Sequence, residues 1–158
     1  MRAVRALILC GAILAAGLLL RCNPLIALRV QALIDESRQM AAVFAHDAAI
    51  GQIEQALRLR PDRADLYVEL GRRIALIYEW DRAIAAFDRA ERLDPSYAET
   101  YYFRGLLYAS APSAEAREDA IRDLERYLAL APDGMYAADA GRSLEILLAQ
   151  RGALSDEF

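Results

Sequence analysis

The chain of 158 residues is 56% apolar and 27% charged, and its 19 basic residues, all arginine, stand against 23 acidic ones for a formal net charge of −4. That apolar fraction excludes a disordered chain, and having only two cysteines, Cys10 and Cys22, excludes a disulfide scaffold. After residue 29 the balance is 15 arginines against 23 acids, so the basic footprint that a nucleic-acid partner requires is missing.

Met1 to Arg5 holds two arginines, and Ala6 to Leu20 is a 15-residue run without a charge, closed by Arg21. Residues 1–22 are therefore expected to be a signal peptide or a signal-anchor helix in a membrane. About 20 apolar residues cross a bilayer, and Arg5 and Arg21 can snorkel to extend a shorter run. Leu19-Leu20-Arg21 offers none of the small residues that precede a signal-peptidase cut, which favours a retained anchor. Cys22 follows the run as a lipobox cysteine would, but Arg21 before it departs from that pattern. The domain that follows is expected on the periplasmic or extracytoplasmic side of a bacterial envelope. The weak charge asymmetry across the segment leaves a cytoplasmic-facing domain open.

Asn23-Pro24 reads as a helix cap followed by proline at the first helical position, so the second domain, 23–158, begins here. Apolar periodicity predicts helices at about 24–44, 47–59, 63–78, 81–92, 97–109, 114–130 and 135–150, and no strand. Asp47, Asp62 and Asp81 are N-cap candidates, Ser96 and Glu99 a capping box, and Pro61, Pro95 and Pro132 each stop a helix.

A shift of 34 residues pairs Ala49, Ile50, Ile53, Ala56, Leu59, Pro61, Ala64, Tyr67 and Gly71 with Ala83, Ile84, Phe87, Ala90, Leu93, Pro95, Ala98, Tyr101 and Gly105. The next recurrence, Ala120, Ile121, Leu124, Leu130 and Pro132, comes at a spacing of 37, so three residues are inserted between Gly105 and Ala120. Ser110-Ala111-Pro112-Ser113 reads as the lengthened turn that holds them. Gly71 and Gly105 each cost a helix about 1 kcal/mol, which is reasonable only where a neighbouring helix comes too close for a side chain. Ala83, Ala90 and Ala120 are read in the same way, and Tyr67, Ile74, Phe87, Tyr101, Tyr108 and Leu124 as the large residues filling the spaces between pairs.

Tyr67, Leu70, Gly71, Ile74, Trp80, Ala83, Phe87, Ala90 and Pro95 make the chain resemble the tetratricopeptide repeat (TPR) family. Residues 64–97 carry the full pattern. Residues 98–134 carry it through Tyr101, Gly105, Tyr108, Ala120, Leu124 and Pro132, with Arg104 in place of a usual leucine and Tyr127 in place of a small residue. Residues 30–63 form a degenerate first repeat, and 135–151 a capping helix. The resemblance implies an all-α fold, a right-handed α-solenoid of antiparallel helix pairs with about three repeats and a cap, following the N-terminal membrane or signal helix.

The same resemblance implies a concave groove lined by first helices, which holds a protein or peptide partner. Carried over position by position, its lining is Gln31, Ile34 and Arg38, then Asp65, Val68 and Arg72, then Glu99, Tyr102 and Leu106. Chaperone-binding members of the family clamp a carboxylate with lysine and asparagine. Here Val68, Tyr102, Leu106 and a chain without lysine replace that set, and a chaperone-tail adaptor is not expected. Nor is catalysis. His46, the one histidine, sits beside Asp47 at an interhelical turn, and no phosphate loop or metal-ligand spacing occurs. Glu115, Glu118, Asp119, Asp123 and Glu125 alternate with Arg117, Arg122 and Arg126 as a solvated, ion-paired face. No cofactor or metal is expected. The function expected is a noncatalytic, membrane-tethered interaction scaffold at a bacterial envelope. The alternative is a structural subunit of an envelope, pilus or secretion-type assembly, held through its convex face or caps.

Overall fold

The computed structural model describes residues 23–42 and 45–155. The expected signal or anchor segment, 1–22, lies outside the described residues, and none of the described helices is long and apolar enough to cross a membrane. Seven α-helices and no strand occur among the described residues: α1 (Pro24–Ala42), α2 (His46–Leu59), α3 (Ala64–Ala75), α4 (Trp80–Leu93), α5 (Ala98–Ala109), α6 (Ala114–Leu130) and α7 (Ala137–Ser155). The chain divides into two compact units, one ending at Pro61 and the other beginning at Asp62.

In the first unit α1 and α2 form a helical hairpin. Asn23 opens it as its sequence suggests, its Oδ1 accepting the Leu25 N–H at 2.9 Å ahead of Pro24, which has no N–H to satisfy. The buried positions of α1 are Val30, Leu33, Ile34 and Ser37, and those of α2 are Ala49, Ile50, Ile53, Ala56 and Leu57. Both series follow the three-and-four spacing of one helix face. Ser37 is the polar member of the first series, and its hydroxyl donates to the Ala49 carbonyl at 2.9 Å, which satisfies it inside the core.

In the second unit α3 pairs with α4 and α5 with α6, and α7 packs on α6. The glycines mark the closest approaches. A Cβ at Gly71 would stand 2.8 Å from Phe87 Cε1 and 3.1 Å from the Ala83 carbonyl oxygen, and one at Gly105 would stand 3.1 Å from Leu124 Cγ. Ala83, Ala90 and Ala120 are completely buried, as their small size requires.

Three local expectations are corrected. The extra residues of the third repeat are not in its turn: the segments 76–79 and 110–113 between paired helices are equal in length, whereas α6 has 17 residues against 14 in α4. Ser113 accounts for the early start, because its side chain accepts the Ala116 N–H at 3.1 Å and caps the added turn. Ser96 and Glu99 form no capping box. Ser96 instead donates from its N–H and its hydroxyl to Asp94 Oδ1, and Tyr97 occupies the cap position of α5. Asp47 and Asp81 lie inside the first turns of α2 and α4, and Arg63 rather than Asp62 precedes α3. Asp47 and Asp81 thus stand where an acid favours the helix dipole rather than at the cap.

Asp123 also departs from expectation. Asp123 is not on a solvated face but buried, and Arg104 meets it through two hydrogen bonds of 2.7 and 3.0 Å. Arg104 Nη1 reaches Asp88 and Glu91 as well, each at 2.7 Å, so α4, α5 and α6 converge on one guanidinium. Burial pushes the Asp123 carboxyl up from its ordinary value, against the pull of Arg104.

Gly71→Ala is expected to lower the thermal midpoint even though alanine gains about 1 kcal/mol of helix propensity, because Phe87 and the Ala83 carbonyl cannot both retreat. Gly105→Ala, which meets only side-chain atoms, is expected to lose less in the same melting experiment. Arg104→Leu, which restores the residue usual at this position, is expected to destabilise by about 3–5 kcal/mol in denaturant unfolding by leaving a buried carboxylate alone. Leucine at both Arg104 and Asp123 is expected to recover most of that loss.

Candidate functional site

The groove residues expected from the sequence fall into three sets of equivalent positions, spaced by 34, and the structure treats each set alike. Gln31, Asp65 and Glu99 are exposed or half-buried, as are Arg38, Arg72 and Leu106. Ile34, Val68 and Tyr102 are buried, at 7%, 3% and 6% exposure, so this position is interior in all three repeats and is not open to a partner. In the last repeat the cause is visible. Tyr136, in the link before α7, stacks on Tyr102 with ring centroids 4.3 Å apart, and Tyr127 closes in at 5.3 Å. Gln31 and Arg38 lie on α1 in the first unit, where Asp35 accepts from both, at 3.1 and 3.2 Å.

Within the second unit α3 and α5 bring Arg72 and Leu106 together in a pocket of about 280 Å³. Its walls also include Arg73, Leu76, Phe87 and Phe103. Arg72 and Leu106 belong to the expected groove lining, whereas Phe103 lines this pocket and its neighbour Tyr102 does not. The signal was present in the spacing: Arg72, Arg73 and Leu76 recur at 34 residues as Leu106, Leu107 and Ser110, and all six line the pocket. Phe103 stands at the register position of Glu69, and no repeated residue type singled it out.

Charge organises this face. The Arg72 guanidinium lies 4.2 Å above the Phe103 ring, and Arg72 also donates to Glu69 at 3.0 Å. Arg73 pairs with the same carboxylate, while its Nε is buried without a hydrogen-bond partner. Nearer the starts of α3 and α5 the face is acidic. Asp65 pairs with Arg63, and burial together with Glu99, Asp65 and Glu69 pushes the Tyr97 phenol up to about 12. The arrangement can hold an apolar side chain between Phe103, Phe87 and Leu106 and read the charges beside it.

No group of three or more histidine, cysteine, aspartate or glutamate residues is placed to hold a metal ion among the described residues. His46 is the first residue of α2 rather than part of a turn.

A spectrophotometric titration is expected to show one phenol ionising near pH 12 that disappears in Tyr97→Phe. In the unfolded chain this group ionises near 10, so the stability its protonated form supplies is complete below that pH and is lost as pH rises from 10 towards 12. Relative to Tyr97→Phe, which lacks the titrating group, the parent is expected to lose stability in alkaline melting curves over this range.

Comparison with known proteins identifies what this geometry is similar to. Residues 79–110 match the TPR repeat family model, and no curated protein matches the chain. The first TPR of Spaghetti (RPAP3) bound to the HSP90 peptide SRMEEVD superposes with a TM-score of 0.65 at 21% identity, over 77% of this chain and 94% of that one. The TPR2B domain of yeast Sti1, in a complex described as pHsp70, gives 0.70 at 14% identity, over 78% and 98%. The MamA protein gives 0.66 at 28% identity, over 82% and 67%. Residues 79–110 are thus similar to a TPR repeat, within a helical fold like that of TPR domains.

Proposed function

We propose that this protein is a noncatalytic scaffold, tethered to a bacterial cell envelope by its N-terminal segment, that holds a peptide segment of a protein partner against α3 and α5. The observation that carries the reading is the pocket itself, an apolar recess walled by Phe87, Phe103, Leu76 and Leu106 with Arg72 and Arg73 at its edge. Recesses of this kind take an anchoring side chain, and arginine and aromatic residues are the side chains that most often dominate such contacts. TPR domains generally mediate protein–protein interactions, and one similar structure was determined with an HSP90 peptide and another with an HSP70 peptide. The partner is not taken to be a chaperone tail, because the chain has no lysine and Leu106 occupies one of the expected groove positions. The tether rests on the uncharged run Ala6–Leu20.

The face of α3 sets the partner's character. Asp65 and Glu69 precede Arg72 and Arg73 along the helix, so a bound segment with a large apolar residue flanked by charge meets complementary groups on both sides.

A double variant, Arg72→Glu with Leu106→Glu, is expected to lower partner recovery in envelope crosslinking at least about tenfold, since each change removes a contact worth on the order of 1 kcal/mol or more at an interface centre. Both side chains are only half-buried, so the circular dichroism of the variant is expected to match the parent. Unchanged recovery with an intact helical signal would refute the groove.

A further inference from the structure

Leu25 and Leu28 are 72% and 69% exposed, although they belong to the same helix as the buried residues Val30, Leu33, Ile34 and Ser37. At 100° per residue the two leucines point roughly 160° away from the centre of that buried stripe. They do not belong to the hairpin core. Continuing along their face, Ala32 is followed by Asp35, Glu36 and Gln39, so the apolar surface is confined to the first two turns of α1. No charge occurs between Arg21 and Arg29.

We propose that the first two turns of α1 lie in the interfacial layer of a membrane, with Leu25 and Leu28 inserted among lipid chains and Arg29 at the headgroups. The inference rests on the anchor reading of residues 6–20, and the distance along the chain commits it to lipid rather than to a partner protein. Leu25 is five residues beyond Leu20, where the uncharged run ends, and five residues span at most about 17 Å even when fully extended. If Leu20 is at the edge of the hydrocarbon, Leu25 cannot be far from it. Asn23 and Pro24 start α1 as a separate helix, capped by the Asn23 side chain at 2.9 Å, so the chain can turn from a spanning segment into the membrane plane. Asp35 and Glu36 then lift the rest of α1 out of the lipid, because charged groups are costly to bury there.

The test uses the full chain, with Cys10 and Cys22 changed to alanine and one fluorophore-labelled cysteine introduced as Leu25→Cys, Leu28→Cys or Gln39→Cys. Each protein is reconstituted into phosphatidylcholine vesicles. Gln39 is exposed and 14 residues along the helix from Leu25, about 21 Å away. Labels at 25 and 28 are expected to lose fluorescence to lipid-borne nitroxides and to be protected from aqueous iodide, with the opposite pattern at 39. Iodide quenching at 25 and 28 equal to that at 39 would overturn the proposal, as would protection from both quenchers, which is the signature of a protein cover. Flotation of the same samples separates the two readings. Protein that floats with its 25 and 28 labels in water defeats this inference alone, whereas protein that does not float defeats the anchor as well.

Discussion

The second unit depends on the contact between the Phe87 ring and the bare backbone of Gly71, repeated one pair later between Leu124 and Gly105. A large side chain on the second helix of each pair occupies the place where the first helix has no side chain of its own. This draws the helices together closely, and the small residues Ala83, Ala90 and Ala120 are completely buried on the second helices. The same contact shapes the site. Arg72 and Leu106 directly follow the two glycines, and Phe87, which rests on Gly71, also forms part of the pocket wall. The pocket is therefore a consequence of how the pairs close, and Phe87 is shared between its wall and the core.

The third repeat solves the same problem with different parts. Arginine stands where leucine is usual, and it is tolerated because α4 and α6 supply three carboxylates around it. Burial works against the charge, yet the hydrogen bonds that Arg104 donates to Asp123 and Glu91 hold the guanidinium protonated. Tyr127 replaces a small residue, and its hydroxyl accepts the Tyr136 N–H at 3.0 Å. A side chain at Gly134 would collide with that hydroxyl, its Cβ only 2.5 Å away. The larger residue thus pins the link to α7, and the cap closes over Tyr102 as a result.

Much of this was legible in sequence because repetition averages out local ambiguity. The register of 34 located the pairs, both close approaches and the helix boundaries to within a few residues. It failed where a decision belonged to one residue alone. Ser96 had two ways to satisfy the backbone, and Asp94, two residues away, competed successfully with the helix end. Three extra residues could lengthen a turn or a helix, and the Ser113 side chain decided for the helix. Asp123 lies among charged neighbours in sequence, and nothing local reveals that Arg104, 19 residues earlier, draws it inside. The burial of Ile34, Val68 and Tyr102 escaped the sequence for a related reason: the periodicity identifies which residues are equivalent, but the angle at which a helix is rolled onto its neighbours is set by side-chain volumes that spacing does not encode.

The roll of α3 and α5 determines what the face can discriminate. Had the position of Val68 and Tyr102 been open, the surface would be apolar along its length and would accept any greasy segment. With that position turned inward, the open side alternates between the acidic group of Asp65, Glu69 and Glu99 and the recess beside Arg72 and Arg73. Glu69 is shared by both arginines, so an incoming carboxylate must displace an existing pair and gains little net energy from the exchange. Under the proposed function, affinity would come from filling the recess, and the charges would mainly penalise segments that place the wrong sign next to it. Selection by exclusion of this kind requires only that the charges be held in place, which the shared pairing at Glu69 and the ring beneath Arg72 accomplish.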